Sequence, residues 1–129
     1  MIVLKGQAKS TNHIYKARCF NNQPSVYLSK EGKDIKEDYI RQLKKQYKGE
    51  VQQGDIRLSV VFFHGDKRKR DLDNYQKLVW DSCNGILFED DSQIVELYLR
   101  KAYDKENPRV CIEILQWENM ELTTRTKTT

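Results

Sequence analysis

Charged residues in the middle of the chain stand at spacings that chemistry can use. The segment runs Arg70-Asp71-Leu72-Asp73-Asn74, then Lys77, Asp81 and Gly85, then Glu89-Asp90-Asp91, and Lys67-Arg68-Lys69-Arg70 leads into it. Carboxylates brought face to face repel unless something positive lies between them. A donor set made only of oxygen favours a hard dication, Mg2+ or Mn2+, which binds through a few carboxylates plus a phosphate of the substrate. Such an ion lowers the pKa of a bound water and offsets charge on a leaving oxygen. Asp71, Asp73, Asp90 and Asp91 are the candidate ligands. Lys77 is a candidate for steadying transition-state charge, and Lys67, Arg68, Lys69 and Arg70 for holding nucleic-acid phosphates.

The elements around these residues must bring them together. Asp71 and Asp73 are two apart, so in an extended segment they project to one side. From Asp73 to Leu87 the pattern is helical, with Tyr75, Val79, Cys83 and Ile86 on one face and Leu78 and Trp80 widening it. A helix of about 15 residues is roughly 22 Å long. Its two ends cannot touch, so gathering the acids needs loop reach, a returning strand or a partner subunit. Each acid also has an ordinary reading. Asp73 with Gln76 is a capping pair, Asp73 with Lys77 is a helix-surface ion pair, and Asp90-Asp91-Ser92 is a solvated loop. A calcium-binding EF-hand is excluded, because after Asp71 and Asp73 its next ligand falls on Tyr75 and its glycine on Gln76.

The remaining pattern predicts a frame. Residues 1–5 read as a strand. Residues 7–25 read as an irregular loop: a surface excursion, or a substrate-contacting flap carrying Asn12, Tyr15, Lys16 and Arg18. Val26-Tyr27-Leu28 reads as a short strand. Ser29 opens a helix with Ile35, Tyr39, Ile40, Leu43 and Tyr47 at helical spacing, Gly32 as a blemish and Gly49 as a stop. Its lysines are either a solvated face or a phosphate-facing stripe. Asp55 to Phe63 alternates as one strand, and His64 is given no role. Residues 94–103 and 109–116 read as two strands joined by a turn into a hairpin. Residues 119–129 have little to bury and should form a flexible tail. The order β, β, α, β, α, β, β predicts an α+β domain over residues 1–118, a small mixed sheet with two main helices packed on it.

With 129 residues the chain fits one domain, and with 38 % apolar and 33 % charged residues its core is economical. The net charge of +4 is a weak pointer to nucleic acid. Its distribution says more, with bases concentrated in 30–48 and 67–70 and acids in 71–91. Cys19, Cys83 and Cys111 lack metal-type spacing and read as free thiols of a reducing compartment. The apolar start is too short for a signal peptide, and no run approaches a membrane span. A cytoplasmic protein with no membrane contact is expected.

The string Arg70-Asp71-Leu72-Asp73-Asn74, Lys77, Asp81, Gly85 and Asp90-Asp91-Ser92-Gln93 resembles the RusA family of Holliday junction resolvases, common in bacteriophages and prophages. That family's motif is Asp-x-Asp-Asn-x-x-Lys, then an Asp, a Gly and an Asp-Asp-x-Gln leading into a strand. Asn12, Tyr15, Tyr27-Leu28-Ser29 and Gly32 fit its looser N-terminal pattern, and the resemblance covers about residues 1–116. It implies a homodimer that cuts four-way or other branched DNA by paired nicks in recombination and repair, with Mg2+ as cofactor. It carries over Asp71, Asp73 and Asp91 as catalytic acids, with Asp90 beside them and Lys77 assisting. Asn12, Tyr15, Lys16 and Asn74 join the basic run as expected DNA contacts. Here the stretch from Asp81 to the acidic pair is one residue shorter than in the family's type member. Asp90 and Asp91 therefore compete as metal ligand, with Ser92-Gln93 favouring Asp91. A dimer suits a two-fold junction, with Tyr98, Trp117 or Phe20 as interface candidates. The rival readings are a nuclease for forks, flaps or RNA, and a non-catalytic junction-binding module.

Overall fold

A computed structural model describes residues 1–115. The Trp117 interface candidate, the end of the last predicted strand and the 119–129 tail lie outside the described residues. The elements run β1 (Ile2–Lys5), α1 (Thr11–Ile14), β2 (Tyr15–Phe20), β3 (Gln23–Leu28), α2 (Lys30–Gln46), β4 (Ile56–His64), α3 (Gln76–Cys83), a 3-10 turn (Asp91–Gln93), β5 (Ile94–Tyr103) and β6 (Arg109–Leu115). The α+β class and the mixed sheet are as expected.

β4 is the centre of the sheet, whose order is β1-β6-β4-β5. The strand is buried at Ile56, Leu58, Val60, Phe62 and His64, the alternation its sequence predicts. Burying such aliphatic and aromatic side chains against the helices stabilises by about 1.5–3 kcal/mol each. β5 runs parallel to β4, and β6 runs antiparallel to it on its other side. The expected β5–β6 hairpin is therefore corrected. The turn at 104–108 carries the chain across the end of β4, where Asp104 N donates to His64 O at 2.8 Å. Apolar content on both sides of β4 suits a central strand, and two strands that each need a partner both find it there.

Helix α2 has the expected inward face, with Tyr39 and Leu43 buried. Ser29 caps it, its Oγ accepting from Gly32 N at 3.1 Å. Gly32 is no blemish. A Cβ there would lie 2.5 Å from Leu28 Cδ1 and 3.1 Å from Ile14 Cβ, so only glycine lets the helix start against the end of the β2–β3 hairpin. The outer edge of β1 is closed by two glutamines one helical turn apart. Gln46 accepts from Val3 N at 2.8 Å and donates to Val3 O at 2.6 Å. Gln42 accepts from Lys5 N at 2.7 Å and donates to Lys5 O at 3.2 Å. Side-chain amides thus stand in for a missing neighbouring strand and protect the edge.

The 7–25 segment is not irregular. Gln7 stitches it to the sheet, donating to His64 Nδ1 at 2.9 Å and accepting from Gly65 N at 2.7 Å. His64, set aside on sequence, is buried, with its pKa lowered to about 4 by burial and then by the charge of Arg70. Beyond α1 the chain makes the antiparallel hairpin β2–β3, which pairs with nothing else in the sheet. No helix among the described residues is long and apolar enough to cross a membrane.

Candidate active site

Helix α3 decides where the acids go, and it is shorter than its periodicity predicts. It has eight residues, so it spans only ~12 Å. At its start, residues 71–74 form a turn closed by Asn74 N donating to Asp71 O at 3.3 Å. At its end Gly85 takes φ 83°, a conformation glycine adopts readily, and its N–H donates to Phe88 O at 2.7 Å. This fold-back and the crossover to β5 bring Asp73 and Asp91, eighteen positions apart, to one cleft of about 390 Å3. Asn74, Lys77, Trp80 and Asp81 also line it. The objection that the helix ends lie too far apart falls with the helix length.

The predicted acids have different employments. Asp90 caps the 3-10 turn, accepting from Ser92 N at 3.0 Å, and its contacts with Ser92 hold its carboxyl below the usual range. Gln93 pins the same loop. Its Oε1 accepts from Glu89 N at 2.8 Å and Asp90 N at 2.9 Å, while its Nε2 donates to Gln52 O and Gly54 O. That leaves Asp91 to line the cleft. Asp71 and Asp73 are exposed, and among the described residues their carboxylates have no hydrogen bond or ion pair. Asp73 does not cap α3, whose N-cap is Tyr75 with no side-chain cap bond. The expected Asp73–Lys77 pair is likewise absent.

Lys77 turns the other way along the helix. Its Nζ lies 3.5 Å from Asp81 Oδ2 and 4.7 Å from the centre of the Tyr15 ring. The Tyr15 hydroxyl donates to the same Asp81 oxygen. Burial, and then this hydrogen bond, raise the Tyr15 pKa. Tyr15 is thus a strut from the base of the hairpin to α3. Asp81 was assigned no role on sequence, although its place four residues after Lys77 was the signal for one.

A second cleft of about 320 Å3 lies beside the first, lined by Lys9, His13, Arg68, Lys69 and Arg70 among others. The wall between them is the contact of α1 with residue 74, where Thr11 N donates to Asn74 O at 2.7 Å. Lys69 is exposed, and Lys67 lies 5.1 Å from the Tyr103 ring centre. Arg70 departs from the expected free phosphate contact. Its side chain is buried, 2.8 Å from Asp66 Oδ1, and also donates to Asp66 O at 3.0 Å. Arg68 pairs with Asp66 at 3.2 Å. Asn12 and Lys16 are exposed and line neither cleft. The exposed lysines Lys44 and Lys45 of α2, and Lys48 just beyond its end, line neither cleft, as a solvated face would have it.

Oxygen donors without structural partners suit a hard dication. Among the described residues, however, no three His, Cys, Asp or Glu side chains stand close enough to form a ready metal cage. The protein alone therefore offers an open, incomplete donor set.

The sequence matches the family described as Endodeoxyribonuclease RusA over residues 6–115. The chain belongs to the RusA family. It is 29 % identical over 82 residues to the Crossover junction endodeoxyribonuclease RusA of Aquifex aeolicus (strain VF5), covering 62 % of this chain and 64 % of that one. It is 48 % identical over 46 residues to the Uncharacterized protein YqaN of Bacillus subtilis (strain 168), covering 36 % of this chain and 32 % of that one. The chain thus spans just under two thirds of the Aquifex relative and about a third of the Bacillus one.

Proposed function

We propose that this protein is a Mg2+-dependent, structure-selective DNA endonuclease that resolves four-way junctions by paired nicks, acting as a cytoplasmic homodimer in recombination and repair. One observation carries the reading. In a chain of the RusA family, Asp73 and Asp91 come from opposite ends of α3 to one cleft beside Lys77, and Asp73 has no structural employment.

Asp71, Asp73 and Asp91 would hold Mg2+, or Mn2+ in its place, with the scissile phosphate completing the oxygen set. When bound, the dication activates water and offsets charge on the leaving oxygen. The remaining work belongs to the chain. The ammonium of Lys77, steered by Asp81 and the Tyr15 ring, stabilises negative charge developing on the phosphate. Asp90 and Gln93 fix the loop that presents Asp91. Lys9, Arg68 and Lys69 hold the neighbouring phosphates in the adjoining cleft, and Arg70 shapes the loop that carries them. Two copies of the site, related by a dimer axis, would match the two-fold symmetry of a junction.

The test is cutting of labelled substrates in Mg2+ by the wild type and by Asp73→Asn. The expected result is paired nicks in a four-way junction by the wild type, and binding without cutting by the variant. Normal cleavage by Asp73→Asn would end the proposal. Preferred cutting of forks, flaps or RNA would transfer the same chemistry to another substrate.

A further inference from the structure

The β2–β3 hairpin is built as an arm. Its turn has only two residues, Asn21 and Asn22, at φ 51° and 61°. This is the tight left-handed turn that matches strand twist and suits asparagine. Six residue pairs join its strands, from Tyr15–Leu28 to Phe20–Gln23. Among the described residues only its base is anchored: Tyr15 and Leu28 pack on the core, and Tyr15 bonds Asp81. Residues 16–27 are all exposed.

The two faces of the arm differ. Pairing and alternation put Lys16, Arg18 and Phe20 of β2 on one face with Tyr27, Ser25 and Gln23 of β3. The Arg18 guanidinium lies 4.9 Å from the Tyr27 ring centre. Phe20 at the tip is 73 % exposed. Residues 15–28 contain Lys16 and Arg18 and no acid. A projecting face that carries cations, exposed aromatic rings and no negative charge matches the phosphates and base faces of nucleic acid. An aromatic ring this exposed gains little on duplex, whose bases are already stacked. It gains where a base face is open, as at a branch. Phe20 is five residues from Tyr15, so the tip lies ~17 Å along the strand from the anchored base.

We propose that this hairpin is a second DNA-contact element, in which Lys16 and Arg18 hold phosphates and Phe20 stacks on an unstacked base at the branch, so that the arm supplies selectivity for branched over linear DNA. The proposal rests on the nuclease reading but concerns residues outside its chemistry.

The test uses the full chain, a four-way junction carrying 2-aminopurine beside the branch, and a linear duplex of the same sequence. Binding is measured in EDTA for the wild type, Phe20→Ala and Phe20→Trp. The wild type should change the 2-aminopurine fluorescence of the junction only. Phe20→Ala should lose that signal and bind the junction about 5- to 150-fold more weakly, the range for one lost base stack, with duplex binding unchanged. Phe20→Trp should retain both. An unchanged junction-to-duplex ratio for Phe20→Ala overturns the proposal. So does sedimentation showing that Phe20→Ala turns a dimer into a monomer, since the tip is then a contact between copies. Failure of the wild type to cut any branched DNA in Mg2+ would count instead against the nuclease reading.

Discussion

Two halves of one loop treat their charges in opposite ways. In residues 66–70, Asp66 is met by Arg68 at 3.2 Å and Arg70 at 2.8 Å, and Lys101 donates to Arg70 O at 2.7 Å. The Arg70 and Arg68 contacts hold the Asp66 carboxyl well below the usual range. In residues 71–74 the carboxylates of Asp71 and Asp73 have no such partners among the described residues. The first half ties Asp66, Arg68 and Arg70 into the build of the loop, and the second leaves both of its carboxylates out of it. Carboxylates a few positions apart thus divide between paired and unpaired.

The sharpest way to break that division is Asp73→Asn. Cutting of a junction should fall by a factor of about a thousand or more, while melting temperature without metal holds or rises, because no native partner is lost. Mg2+ should raise the melting temperature of the wild type and not of the variant, by linkage. A variant that melts early would put Asp73 among the structural acids. Lys77→Ala should lower kcat by about a hundredfold with junction binding little changed, as read in single-turnover cutting. Tyr15→Phe removes only the hydroxyl that steers Asp81. Its kcat should fall about fivefold, the worth of one hydrogen bond of about 1 kcal/mol.

The structural half gives pH predictions instead. The pKa of Asp66 is lower folded than unfolded, so its stabilisation is complete above the unfolded value near 4. It is lost as pH falls through the folded value. Asp66→Asn should therefore melt earlier than the wild type at pH 7, and the difference should shrink on acidification. His64 acts over a neighbouring window. Its folded pKa is about 4, against about 6.5 unfolded. Its contribution is full above about pH 6.5 and fades as pH falls towards 4. Denaturant titrations across that range should show the slope, and an NMR signal of His64 titrating near 6.5 would remove its cause.

Local rules were enough for much of this chain. Alternation identified β4 and its buried face, and helical spacing identified α2, its Ser29 start and its Tyr39 and Leu43 contacts. The order of acids, lysine and glycine between Asp71 and Gln93 identified the family, because residue type and order are legible wherever the backbone happens to run. Pairing partners were beyond reach of the sequence. β5 and β6 each pair with β4 because its two edges were both open, which depends on where the α3 crossover returns the chain. α3 is short because Gly85 reverses the chain before the apolar pattern ends. That reversal, seen only in three dimensions, brings Asp91 to Asp73. The employments of Asp66, Asp81, Asp90 and Gln42 were hidden for the same reason: a side chain's partner is set by long-range packing. The sequence by itself determined which acidic and basic groups the chain carries and in what order. The tertiary structure decided which of them find partners within it, because partners are set by long-range packing.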